Sequence, residues 1–370
     1  MRLNLITAIM VAPLVATVVS PPTFAQQSAA VNKGVVELET TGSDGISVRI
    51  AEDLARLIDD GATRRVVPVI GKGSLQNITD LKYLKGIDIA IVQADALNFA
   101  KDQRLFPGID ASLTYITKLY NEEFHLLVRP EITKVEDLAN LKVNVDSITS
   151  GTAITCNNIF QQLRLNVTAT HDSQQVALAK LRDGEISGLA FVAGKPAPLF
   201  ANITRDEGLH FISVPYDAAA NSTVYAPTRL AAADYPALVA PDQPVETVAV
   251  GTVLMAADLR QVPERSNNVA NFVDVFFTEF QSLWKPGNHP KWNEVNLAAD
   301  FPGWRRYDAA QQWLKRNAQF VGASDPDRLK AMFSAFVDER RRASGGAPMT
   351  DKEKNALFEQ FRTWAGSHGQ

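Results

Sequence analysis

Cysteine is almost missing from this sequence: 370 residues contain one, Cys156. An intramolecular disulfide and a cysteine-paired zinc site are both excluded. The five histidines (His125, His171, His210, His289, His368) never stand four residues apart, the spacing of a helical metal pair. No metal is expected. Basic charge has no surplus either, with 37 Lys and Arg against 41 Asp and Glu and a net charge of −4. Phosphate binding needs a basic face, so no nucleic acid is expected as partner. Beyond the N-terminus no apolar run approaches the roughly 20 residues that cross a bilayer, which excludes a polytopic membrane protein.

Catalytic patterns are absent as well. Gly71-Lys72-Gly73-Ser74 lacks the upstream glycine of a phosphate loop and the third glycine of a dinucleotide fingerprint. No G-x-S-x-G elbow occurs. Cys156 falls inside a predicted helix and reads as buried and inert. Glu122 and Glu123 are adjacent, so in an extended strand they point to opposite faces. They make poor acid and base partners and read as a solvated junction. No cofactor and no enzymatic activity are expected, although fold alone leaves an enzyme open.

What is present begins with MRLNLITAIMVAPLVATVVSPPTFA at residues 1–25. One basic residue, an apolar stretch from Leu5 to Val19 and small residues at Thr23 and Ala25 make a cleavable export signal. An uncleaved anchor is the alternative. Export predicts a periplasmic protein.

Strand, turn and helix then alternate. Residues 35–38, 66–70 and 87–93 read as strands, each followed by a helix after Gly42-Ser43-Asp44-Gly45, after Gly73 and at Ala94. Two β-rich runs, 113–120 and 124–129, flank a short polar break. A second unit follows, with a helix in 135–141, strands at 142–146, 166–170 and 188–194, and helices near 152–163 and 172–184. Residues 215–246 read as loop, 245–258 as a long β stretch and 267–284 as a helix. The pattern predicts parallel sheets with flanking helices. Two lobes joined by two crossings are expected, with the chain divided as 26–123, 124–247 and 248–323, the last part returning to the first lobe. A single doubly wound domain is the alternative. From Ser324, Asp325-Pro326 and Thr350 with Glu353 mark two helix starts, so 324–370 reads as an appended helical hairpin, packed on the body or docking a partner.

Three small-polar loops precede helices: Thr41-Gly42-Ser43, Gly73-Ser74 and Thr149-Ser150-Gly151-Thr152. A helix N-terminus offers unpaired N–H groups to an anion, and in α/β sheets such loops lie where ligands bind. Arg49, in the first turn of its helix, opposes the macrodipole, so it is read as facing a ligand carboxylate. The plainer reading is that Ser and Thr cap their helices and Arg49 is solvated.

The segments VVPVIGKGSLQNITDLKYLKGIDIAIVQAD (66–95), KLYNEEFHLLVR (118–129), SGTAIT (150–155), GLAFVAGKPAPLF (188–200) and HPKWNEVNLAADFPGW (289–304) resemble the TAXI-type solute-binding subunits of TRAP transporters. The resemblance implies a two-lobed periplasmic-binding-protein type II fold with ligand in the interlobe cleft. The family's first loop runs Gly-Thr-Tyr; here it is Gly45, Ile46 and Ser47, so only Ser47 keeps a hydroxyl. Asn77, Gln93, Asp95 and Tyr120 match its pocket-lining polar positions. Ser150, Gly151 and Thr152 match its second-lobe loop, and Phe191, Ala193, Gly194 and Pro196 its AGxPAP segment. The expected function is capture of a small organic anion, a carboxylate, and delivery to TRAP-type membrane subunits. A ligand-sensing subunit for a membrane kinase is the alternative.

Overall fold

Valine and isoleucine are frequent in the first three runs that become strands, 35–40, 65–70 and 89–93, because β-branched side chains fit a pleated, buried surface. The computed structural model describes residues 33–215, 224–317, 337, 349–355 and 357. The expected export signal and nearly all of the expected hairpin lie outside the described residues. At the hairpin, residues 351–355 are helical, and Thr350 and Glu353 exchange the bonds of a capping box.

The first unit runs β1 (Val35–Thr40), α1 (Ser47–Ile58), β2 (Arg65–Ile70), α2 (Ser74–Tyr83), β3 (Ile89–Gln93), α3 (Ala94–Asp102) and the short α4 (Ile109–Ser112). β1 pairs in parallel with both β2 and β3. α1 buries Ile50, Ala51, Leu54 and Ile58 along one face, the stripe of a core-facing helix. The second unit follows the long β4 (Thr114–Val128): β5 (Lys142–Asn144), α5 (Gly151–Gln162), β6 (Thr168–Thr170), α6 (Gln174–Asp183) and β7 (Gly188–Ala193). β5 pairs in parallel with β6 and β7. β8 (His210–Phe211) and β9 (Tyr225–Leu230) precede β10 (Val245–Ala256), then come α7 (Pro263–Thr278) and α8 (Asp308–Arg316).

The sheet order is β2-β1-β3-β10-β4-β7-β5-β6. Two three-stranded parallel units therefore flank a central antiparallel pair, β10 and β4. They are the two lobes of an α/β fold. β4 pairs with β10 up to Glu123 and with β7 from Glu123 to Val128, so one unbroken strand serves both lobes. β10 does the same, pairing with β9 over 245–250 and with β3 over 252–256. Between Gly251 and Val253 the register slips: Leu119 and Tyr120 stand opposite Thr252 alone, a β-bulge. Thr252 Oγ1 donates to the Tyr120 carbonyl at 2.8 Å across it.

Three sequence expectations need correction. The polar break between residues 120 and 124 does not interrupt the strand, and Glu122 and Glu123 are buried within it. Residues 135–141 form only a 3-10 turn, Val135–Leu138, because Asp137 accepts from Thr133 N and Lys134 N and Asn140 takes a positive φ. The proline-rich stretch before 246 contains β9, whose Pro227 lies on a strand paired along only one side.

α7 buries Val269, Phe272, Val273, Phe276 and Phe277 and packs on β1 and α1. Fully burying one such phenylalanine is worth about 1.5–3 kcal/mol. Downstream, the turn Pro290–Glu294 is anchored at two points. Asp53 of α1 accepts from His289 N and Trp292 Nε1, both at 2.8 Å. Lys291 Nζ lies 2.6 Å from Glu123 and 2.7 Å from Glu294. Burial works to lower the Lys291 pKa, but the two carboxylates outweigh it and hold the ammonium charged. The turn thereby ties α1 to the shared strand.

Removing one member of a buried ion pair leaves the other uncompensated, at about 3–5 kcal/mol. Lys291→Met should therefore destabilise the protein by that order in urea unfolding. The double variant Lys291→Met, Glu123→Gln should recover most of the loss. A double variant no more stable than the single one would show that the pair is not what holds this turn.

Candidate functional site

Three loops meet where the two lobes face each other. The first follows β1. Thr41 donates both its backbone N–H and its hydroxyl to Ser47 Oγ, at 3.2 and 2.9 Å, and Ser47 donates on to the Gly42 carbonyl. Ser47 thus shapes the loop from behind. The second follows β2. Gly71 N–H donates to the Thr40 carbonyl, and Ser74 Oγ accepts from Gln93 N–H at 3.0 Å. Gly73 sits at φ 123, a conformation reserved for glycine, and a Cβ there would press on Ser150 of the opposite lobe. The third loop precedes α5. Ser150 caps the helix by accepting from Ala153 N–H at 3.0 Å, and Thr152 Oγ1 accepts from Val192 N–H at 3.1 Å.

The lobes touch across this meeting. Leu75 N–H donates to the Thr149 carbonyl at 3.1 Å, and Gln175 Nε2 reaches Asp44 at 3.3 Å. Ile46 packs so closely on Gly194 that a Cβ at 194 would overlap its side chain, and a Cβ at Gly151 would overlap Gln93 Oε1. Between these contacts lies a cavity of about 200 Å³, below the ~300–1,000 Å³ usual for drug-sized ligands.

Of the residues singled out from sequence, Thr41, Ser43, Gln93, Ser150, Gly151, Thr152 and Phe191 line this cavity. The others stand elsewhere. Asn77 is fully buried, and its Nδ2 donates to the Thr40 and Ile91 carbonyls, bracing the ends of β1 and β3. Asp95 accepts from Thr155 Oγ1 at 2.6 Å and Tyr225 OH at 2.8 Å, so it joins α3 to α5 and β9. Tyr120 lies behind Glu122, its hydroxyl 3.4 Å from that carboxyl. Gly194 makes room for Ile46. Arg49 stands outside the cavity lining: its guanidinium donates to the Gly287 carbonyl at 2.5 Å and pairs with Asp53 at 3.3 Å. Its helix-start charge meets Asp53 of α1 and the Gly287 carbonyl.

Five polar lining residues were not legible as such: Asp44, Lys72, Glu122, Asp146 and Gln174. The strand alternation that separates Glu122 from Glu123 was the available signal, since it sends one of them to each face. Gln93 Nε2 donates to Glu122 at 2.6 Å. Burial pushes the Glu122 carboxyl up to about 8, with Glu123 and Asp95 adding to the rise and Gln93 and Lys291 opposing it. Burial also raises Asp146, against the bond from Ser147 N–H.

The reactive residue types are spent on structure. His125 donates from Nδ1 to the Phe191 carbonyl and accepts at Nε2 from Tyr235 OH at 2.7 Å, and burial lowers its pKa to about 3. Burial raises the Cys156 thiol well above its ordinary value, which makes it a poor nucleophile. Among the described residues no cluster of metal-ligating side chains occurs, and no helix is long and apolar enough to cross a membrane.

The NMT1-like family matches residues 40–289, a span holding all three loops and both crossing strands. The chain belongs to the NMT1-like family. No curated protein matches it. Among solved structures this NMT1-like chain is similar to the periplasmic binding protein BugD, at 12% identity over 78% of this chain and 95% of that one, with a TM-score of 0.46. It is also similar to the alkanesulfonate-binding protein SsuA from Xanthomonas axonopodis pv. citri bound to MOPS (13% identity, 83% and 93% covered, TM-score 0.43). A further match is the periplasmic aliphatic sulphonate binding protein SsuA from Escherichia coli (14% identity, 67% and 71% covered, TM-score 0.38). In the NMT1-like chain, Lys291 and Trp292 stand just beyond the family match.

Glu122 titrates near 4.5 when unfolded and near 8 when folded. The folded protein thus keeps a proton that the unfolded chain releases, so its stability is full below about pH 4.5 and is lost as pH rises to about 8. Glu37 and Glu39, raised by burial to about 7 and about 8, add to the same fall. Glu122→Gln removes one titration and keeps an acceptor for Gln93. Between about pH 5 and pH 8 its Tm should drop several degrees less than that of the parent, at about 2–4 °C per kcal/mol. Identical pH slopes would contradict a protonated Glu122.

Proposed function

We propose that this chain is an exported solute-binding protein that captures a small organic anion, a carboxylate, in the interlobe cleft. It would work in the periplasm and deliver its solute to a TRAP-type membrane transporter. The observation that carries this reading is the small polar cavity walled by loops from both lobes. α2 and α5 begin at that cavity, and the first N–H groups of a helix lack partners within it and favour negative charge. The resemblance of segments 66–95, 118–129 and 188–200 to TAXI-type subunits supports the transporter assignment, and the signal-like residues 1–25 support export.

In this reading the lobes divide near residues 123 and 247, and Thr41, Ser43, Gln93, Ser150, Gly151, Thr152 and Phe191 contact the solute. The sequence places the hinge at the crossings, near 125–129 and 248–253. The bulge at Thr252 favours the second of these, because pairing is already irregular there.

Mass spectrometry of molecules released on denaturing the protein purified from periplasm should reveal a small carboxylate. Small-angle scattering should give a smaller radius of gyration for loaded than for stripped protein, and Ser150→Trp should abolish that difference. If denaturation releases nothing and no carboxylate raises Tm, the solute-binding reading fails. If binding is tight but the radius is constant, the cleft is a rigid pocket.

A further inference from the structure

A groove larger than the interlobe cavity lies between α5 and β6, with a volume of about 550 Å³. β6 ends the sheet, so no further strand extends its floor. Val167, Ala169 and His171 alternate onto one face of that strand. Ala153, Asn157 and Gln161 recur every four residues along α5. All six line the groove. Its deeper wall is apolar, built from the buried Val145, Ile154 and Phe160, and Ile148 at its rim is 71% exposed. The size falls within the ~300–1,000 Å³ usual for drug-sized ligands.

The ionisable groups of the lining are of one kind. It contains Arg164 and His171 and no carboxylate, in a chain with 41 acidic residues against 37 basic. Arg164 ends α5. It holds φ 53, a conformation usually left to glycine, and Leu165 N–H donates back to the Phe160 carbonyl at 2.9 Å. Among the described residues no ion pair involves Arg164. The two acidic residues next to the lining in sequence are occupied: Asp172 pairs with Lys180 at 2.8 Å, and Asp146 accepts from Ser147 N–H. The helix dipole accounts for a basic residue at the end of α5. It does not account for an apolar groove beside that residue.

We propose that this groove binds a free amphipathic monocarboxylate, a medium-chain fatty acid, with its carboxylate at Arg164 and its chain running along α5 towards Ile148. Arg164 follows α5 and Ile148 precedes it, so they mark opposite ends of the groove. The helix face from Ala153 to Gln161 is roughly 12 Å long at 1.5 Å per residue, a length that extended octanoate or decanoate spans. The chain removes Ile148 and the half-buried Leu165 and Val167 from water. The guanidinium offers a carboxylate two parallel N–H donors, and an amine headgroup would meet it as a like charge. The groove shares no lining residue with the interlobe cavity, so this is a second site.

Hexanoate, octanoate and decanoate are titrated calorimetrically into the full-length protein, with octanol and octylamine as neutral and cationic counterparts. Affinity should rise about fourfold for each methylene added, the worth of one buried CH₂. Octanoate should bind at least fivefold more tightly than octanol or octylamine. Arg164→Gln should weaken octanoate binding fivefold or more and leave octanol unchanged. Ala169→Trp, which fills the groove, should abolish binding of all five. Both positions are exposed, and neither lines the interlobe cavity. Affinity that is flat with chain length, octanol equal to octanoate, or octanoate binding unchanged in either variant overturns the inference. Absence of any binding overturns it too, and a dimer in light scattering would then assign the groove to a second copy of the chain. The solute-binding reading stands or falls separately, on whether denaturation releases a small molecule.

Discussion

Everything in this molecule hangs on two long strands lying side by side. β4 and β10 run antiparallel through the centre of the sheet, and each lobe adds its own parallel strands to their outer edges. The lobes therefore share a backbone ladder, which differs from two domains joined by a linker. A shared ladder restricts motion, since any rotation between lobes must bend the pair. The bulge at Thr252 is the point where pairing is already irregular, and the side-chain bond from Thr252 to Tyr120 bridges the gap. The candidate cleft opens beside that point, because Gln93 pairs with Thr252 in β3 and Glu122 follows Tyr120 by two residues.

The pleat of β4 explains how site and scaffold are coupled. Adjacent strand residues face opposite sides. Glu122 turns to the cavity and is held by Gln93, while Glu123 turns away and meets Lys291. Glu123 Oε2 also accepts from Lys195 N–H at 2.9 Å, just after β7. One dipeptide thus fixes three elements: the end of β3, the exit from β7 and the returning turn at Lys291. Such burial of charge is costly unless paired, and only Glu123 receives a cation here. Burial raises both carboxyls; at Glu123 the paired Lys291 ammonium opposes the rise, while at Glu122 the Gln93 amide is the chief opposing group.

Much of this was readable from sequence, and the failures have definite causes. Repeated strand, turn and helix signals located β1 to β3, α1 to α3, β5, α5, α6, β7 and β10, since apolar period reports which face is buried. The same logic misread 120–124, where Asn121-Glu122-Glu123 looks solvated. Asn121 is indeed exposed, but the burial of the two glutamates depends on Gln93 and Lys291, the second 168 residues from Glu123 in sequence. The partners of Arg49 were hidden for the same reason: its carbonyl partner is Gly287, 238 residues on. Cavity-lining loops were legible because small polar residues before helices have few other uses. Asn77 and Asp95 were not separable from them, because a buried amide or carboxylate bracing backbone looks identical in sequence to one awaiting ligand.

Ile46 closes the argument about cavity size. Its branched apolar side chain fills the space that Gly194 leaves. Ile46 is buried, and Gly45 beside it packs on Ala193 and Phe191. Apolar contact between lobes at this corner removes water and contributes about 25 cal/mol for each Å² covered. The contact between the lobes therefore draws part of its stability from apolar side chains of the protein itself. The polar groups are left at the other corner, where Gln93, Glu122, Asp146 and Gln174 converge. In the solute-binding reading proposed above, a cleft whose one side is filled with methyl groups would leave recognition to those four residues.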